Sequence, residues 1–141
     1  MSTTIDRARQ SVGPLHAFLL AASVPLFLGA ALTDYAYAST YHVQWTNFAS
    51  WLIVGGLVSG GAALVCALID LLRAGRRGLH YMAHFVLLLA AFVLGVINAF
   101  IHAADAWASM PTGLVLSVVV ALLAGVATAI GFSIARAGGR P

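Results

Sequence analysis

The stretch from His80 to Trp107, HYMAHFVLLLAAFVLGVINAFIHAADAW, most restricts what this chain can become. Its middle, Phe85 to Ile101, carries no charge and is long enough to cross the hydrocarbon of a bilayer. Read at helical steps of three and four, one face carries His80, His84, Leu88, Ala91, Gly95, Asn98, His102 and Asp105. Every strongly polar side chain of the segment falls on that stripe. A spanning helix with imidazoles, an amide and a carboxylate on one side has to turn that side toward protein, because lipid solvates none of them. The other segments must supply the cover.

They are of the same kind. The 141 residues are 62% hydrophobic and 8% charged, where a soluble domain carries about 25% charge. Apolar segments are expected at roughly 14–38, 46–73 and 111–136, besides the one described. Pro14 suits a helix start, and Pro25 is expected to kink the first segment. The basic start and Ala36-Tyr37-Ala38 also resemble a cleavable signal peptide, but the apolar run is long for that role and is read as a retained span. The organisation expected is a polar tail at 1–13, one four-helix membrane domain at 14–136 and a tail at 137–141.

Charge sets the topology. Lysine and glutamate are absent, so the net charge of +3 is arginine against aspartate. Arg7, Arg9, Arg73, Arg76, Arg77, Arg136 and Arg140 all fall on the side of the termini, and the two opposite loops have none. The expectation is an all-α, four-helix transmembrane bundle with both termini cytoplasmic, in a bacterial cytoplasmic membrane. Trp45, Trp51 and Trp107 then gather at the outer interface. The arginines mark membrane flanks, so no nucleic-acid partner is expected.

Two polar levels follow. Near the cytoplasmic face lie His16, Asp70, His80 and His84; near the outer face lie Asp34, Asn98, His102 and Asp105. His84 and His102 are 18 residues apart, about 27 Å along one helix, so no single site uses both. At the inner level, His80 and His84 at i,i+4 present two imidazoles to one point, with His16 a third nitrogen and Asp70 a carboxylate that orients a ring. Three occupants fit. One is a b-type haem between His16 and His84 or His80, in a slot lined by Ala17, Ala21, Ala83 and Leu87. Another is a divalent metal on His16, His80 and His84 with Asp70. The third is an interfacial polar cluster with no ligand. At the outer level, Asp34 opposite Asn98 or His102 reads as a buried acid or a helix tie, while Asp105 and His42 are expected in water.

No Ser or Cys nucleophile adjoins a base, and there is no phosphate loop or CxxC, so no catalytic residue is expected. Cys66 reads as an inert thiol. The fourth segment, with a small-residue face at Ala121, Gly125 and Ala129, reads as a plain wall of the bundle. Gly56 and Gly60 form a GxxxG pair that lets a neighbouring backbone approach. The leading functional expectation is a cytochrome-b-like electron-transfer or redox accessory protein. The alternative is a non-catalytic assembly subunit that meets another membrane subunit, or a second copy, through its glycine face and its plain fourth helix. A metal or proton carrier using Asp34 and Asp70 is the third.

The order of motifs resembles a family of small bacterial integral membrane proteins of unknown function. The matching residues are Gly13-Pro14-Leu15-His16, Thr33-Asp34 with Tyr37, Trp45-x2-Phe48-Ala49-x-Trp51-Leu52, Ile69-Asp70-Leu71-Leu72, His80, and Gly113-Leu-Val-Leu-Ser117. The resemblance implies four helices and makes His16, Asp34, Asp70 and His80 the family's polar positions. The chain departs where the family's leading histidine is Gly13, where a further histidine is Ala21, and where a C-terminal Gly-Gly-x-Leu-Val-Tyr stretch is missing.

Overall fold

The computed structural model describes residues 12–73 and 78–138. Four long helices make the molecule: α1 (Pro14–Thr40), α2 (Val43–Leu72), α3 (Leu79–Ala103) and α4 (Thr112–Gly138). All four are long and apolar enough to cross a membrane. A single helical turn, Ala106–Ser109, lies between α3 and α4. α1 runs unbroken through Pro25 and ends on Tyr41, whose positive φ of 57° turns the chain in two residues. α3 stops at Ala103, so Asp105 and Trp107 lie beyond the helix they were expected to share.

Each helix contacts the next in sequence, and α4 returns to α1, so α1 and α3 face each other across a diagonal. Inward positions step by three and four without a slip. In α1 they are His16, Leu20, Ser23, Phe27, Ala30, Asp34 and Tyr37; in α3 they are His84, Leu88, Ala91, Gly95 and Asn98. α2 follows with Thr46, Ala49, Ile53, Gly56, Gly60, Ala63, Ala67 and Asp70, and α4 with Gly113, Ser117, Val120, Ala124, Ala127, Gly131 and Ile134. Alternation of three and four averages 3.5 residues, the period at which four helices keep a common seam.

Small and polar residues take many of the seam positions, around a few large ones such as Leu20, Phe27, Ile53 and Leu88. Other large apolar side chains point outward: Phe18, Trp51, Val58, Phe100 and Trp107 are all more than two-thirds exposed. Water would reverse this arrangement; lipid permits it, because apolar packing inside gains little over apolar contact outside. An apolar groove of about 500 Å³ between α1 and α4, lined by residues such as Leu28, Leu32 and Val118, lies on this lipid-facing surface.

The GxxxG pair is used inside the bundle. Gly56 and Gly60 receive the ring of Phe27, Gly61 receives Phe92, and Gly55 meets Leu26. Much of the glycine face is thus packed within the bundle.

Candidate functional site

Parallel diagonal helices in register bring α1 and α3 together at one fixed offset. His16 meets His84 and Asp34 meets His102, each 68 residues apart in sequence. The two meetings lie at opposite ends of the bundle. Here the end carrying the start of α1 and α3 is the terminal end, and the other is the far end.

At the far end, the Asp34 and His102 side chains are 0% and 1% exposed, with His102 Nε2 2.8 Å from Asp34 Oδ1. His102 Nδ1 lies 2.9 Å from the Asn98 backbone oxygen and donates to it. Asn98 Nδ2 donates to Ser117 Oγ at 2.8 Å, and the Ser117 hydroxyl in turn donates a hydrogen bond to Asp34 Oδ2. With Nδ1–H committed to a carbonyl, His102 is either a cation against the Asp34 carboxylate or a neutral ring accepting from a carboxylic acid. One proton lies between the two groups in both forms, and the pair is neutral in both. That neutrality is what makes full burial tolerable. The carboxylate separates Ser117 from the imidazole, so the serine hydroxyl meets the acid and not the ring. Asn98 Oδ1 is buried without a hydrogen-bond partner.

At the terminal end, His84 Nδ1 donates to the Ala127 carbonyl at 2.7 Å. Its Nε2 therefore accepts from His16 Nε2–H, 3.3 Å away. His16 Nδ1 then faces Asp70 Oδ2 at 3.4 Å. With its own Nε2–H given to His84, His16 turns its Nδ1 toward the Asp70 carboxylate without a hydrogen bond to it. This contact is longer and less aligned than the far one, since His16 Nδ1 makes no hydrogen bond of good geometry. Asp70 also approaches Arg73, 3.8 Å away and largely exposed. All four helices contribute at this level.

α4 is more than the plain wall its sequence suggested. It supplies Ser117 and the Ala127 carbonyl, and two of its glycines make room for the histidines. A methyl on Gly113 would lie 2.8 Å from His102 Cε1, and one on Gly131 would lie 2.9 Å from His84 Cε1 and 2.8 Å from Leu20 Cδ1. These residues were missed; the available signal was the spacing Gly113, Ser117, Val120, Ala124, Ala127, Gly131, small residues at the period of the seam.

Of the expected inner set, His16, Asp70 and His84 come together and His80 does not. His80 is exposed, because the inward steps of α3 begin at His84 and a further turn back leaves the bundle. Asp105 and His42 are exposed as well, so Asp105 is outside the far cluster. Cys66 is a half-buried free thiol. Arg7, Arg9, Arg76, Arg77 and Arg140 lie outside the described residues; Arg73 and Arg136 both lie at the terminal end.

The haem and metal expectations can be tested on this packing. Two imidazoles on opposite sides of one metal, at bonds of about 2 Å, hold their nitrogens about 4 Å apart. His16 and His84 stand at 3.3 Å, in hydrogen-bonding contact, with ring centroids 5.3 Å apart. The expected slot is not there either. Ala21 is exposed and Ala17, Ala83 and Leu87 are half-buried, one step off the inward positions, while Leu20, Ala67, Leu88 and Ala127 close the interior. A porphyrin does not fit between the rings as packed. Among the described residues, no three His, Cys, Asp or Glu side chains gather at metal-binding range.

The chain is thus a multi-pass membrane protein, a four-helix bundle in contact with lipid and polar inside at both ends. Residues 13–139 match the family described as "Predicted membrane protein (DUF2231)", a family of unknown function, and the chain belongs to it. No curated protein and no solved structure matches it.

Proposed function

We propose that this protein is a non-enzymatic component of the bacterial cytoplasmic membrane that binds protons at two buried histidine–carboxylate pairs. The observation that carries this reading is the far pair. His102 and Asp34 lie 2.8 Å apart, sealed from solvent, with their remaining polar atoms already bonded to Asn98 and Ser117. A carboxylate inside a membrane is costly unless a partner neutralises it, and intramembrane acids paired with histidine are the usual carriers of protons. The arginine distribution supports cytoplasmic placement of the terminal end.

The test is a proton inventory of the full chain in lipid, labelled with ¹⁵N-histidine. His42 and His80, both exposed, serve as internal references. His102, in contact with Asp34, is expected to show ring shifts that move when Asp34 is changed to Asn. If Asp34→Asn leaves the His102 shifts in place, no proton is shared and the reading fails. The haem-b electron-transfer expectation draws no support from the inner pair as packed. A reduced-minus-oxidised visible spectrum of the detergent-purified protein tests it separately, and no sharp haem bands are expected.

A further inference from the structure

Between the two polar levels the interior is dry. From His84 to Asn98, 14 residues of α3 or about 21 Å, the inward side chains are Leu88, Ala91 and Gly95. Phe27 packs with Val120 and Ala124 as the middle layer. Besides Thr128, which donates to the Leu20 carbonyl at 3.5 Å beside the His84 level, the buried hydroxyls between the levels are Ser23 and Ser59. Ser23 donates to the Leu20 carbonyl at 2.8 Å and Ser59 to the Gly55 carbonyl at 3.0 Å, each on its own helix, so neither links the levels.

The Phe27 ring has a seat made of absent side chains. A methyl on Gly56 would lie 2.6 Å from its Cε1, one on Gly60 3.5 Å from its Cε2, and one on Gly95 3.7 Å from its Cε1. The ring therefore spans the bundle from α1 to the backbones of α2 and α3, and it is 4% exposed. Gly56 makes way for this aromatic plate, and Gly60 and Gly95 lie within van der Waals reach of it, at the level where water would have to pass. A constriction so filled and so apolar excludes water and the protons that water carries.

The groups on either side are separate sets. Toward the terminal end are His16 on α1, Asp70 and Arg73 on α2 and His84 on α3, with α4 giving the Ala127 carbonyl. Toward the far end are Asp34 on α1 and His102 on α3, with α4 giving Ser117 and α2 no ionisable side chain. We propose that each pair exchanges protons only with its own face of the membrane, and that Phe27, seated on Gly56, Gly60 and Gly95, is the barrier between them. This rests on the proton-binding reading above and adds sidedness to it. The molecule is two half-sites back to back, and protons cross only when the ring leaves its seat.

The test uses the full chain in phosphatidylethanolamine/phosphatidylglycerol vesicles filled with a pH-sensitive dye, under a clamped potential. Wild type is expected to dissipate a pH gradient no faster than protein-free vesicles. Phe27→Ala is expected to do so about tenfold faster or more, by admitting water to the constriction. Phe27→Leu stays tight. Val120→Thr, which changes little volume but puts a hydroxyl in the dry layer, gives a smaller rise and serves if Phe27→Ala fails to fold. Adding Asp34→Asn to a leaking variant returns it toward the wild-type rate. A wild type that leaks overturns the proposal. So do folded Phe27→Ala and Val120→Thr proteins that both remain tight, or a leak that Asp34→Asn leaves untouched. The ¹⁵N experiment separates the two ideas: shifts at His102 that respond to Asp34→Asn, with all variants tight, sink the barrier alone. Unresponsive shifts sink the proton reading itself.

Discussion

The two ends of this bundle pair the same side-chain chemistries and treat them differently. At the far end the carboxylate is inside the seam, in contact with an imidazole and a hydroxyl, and no part of it is exposed. At the terminal end the Asp70 side chain is still 13% exposed and shares itself between His16 and an arginine at the rim. The difference comes from how far each aspartate lies from its helix end. Asp34 is two turns inside α1, whereas Asp70 is two residues from the end of α2. A fully enclosed acid needs every lone pair accounted for; one at the rim can leave some to water.

The largest expected effect follows from that contrast. Asp34→Ala strands the His102 ring and the Ser117 hydroxyl in a dry interior and is expected to destabilise the protein by about 3–5 kcal/mol. Asp70→Ala, at a wetted rim, is expected to cost about 1 kcal/mol or less. Reversible unfolding in mixed micelles measures both, and equal losses would break the distinction between a sealed end and an open one.

The glycines of α4 sharpen it next. Gly131→Val drives a side chain into Leu20 and His84 and is expected to cost about 1–3 kcal/mol. Gly125 has nothing within 4 Å of an added methyl, so Gly125→Ala is expected to be neutral or stabilising by up to about 1 kcal/mol. The same unfolding assay should show opposite signs. The smallest effect belongs to His80, whose exposed side chain reaches neither cluster. His80→Ala is expected to stay within about 0.5 kcal/mol of wild type and to leave the His16, His84 and His102 ring shifts unmoved.

Much of this was written in the linear chain. The absence of charge over long runs dictates spanning helices, because only a helix satisfies its own backbone in lipid. The stripe from His84 to His102 was legible because polar side chains in an apolar helix have one tolerable direction. His80 and Asp105 continue the same spacing and do not continue the burial, since periodicity carries no information about where a neighbouring helix ends. The level of each polar residue also followed from counting turns, which is why His16, Asp70 and His84 were grouped, and Asp34 with Asn98 and His102.

Only the tertiary structure decided who touches whom. That α1 and α3 lie diagonally in register, that His102 faces Asp34 and not water, and that α4 brings Ser117 and two glycines to the histidines are facts about helix order and rotation. A helix in lipid announces its rotation weakly, because outward and inward positions can both be apolar. In α4 the inward choice was marked by size alone, and a glycine that admits an imidazole reads in one dimension like a glycine that packs against a backbone. The same ambiguity hid Phe27: its position between glycines on two other helices exists only once those helices are side by side.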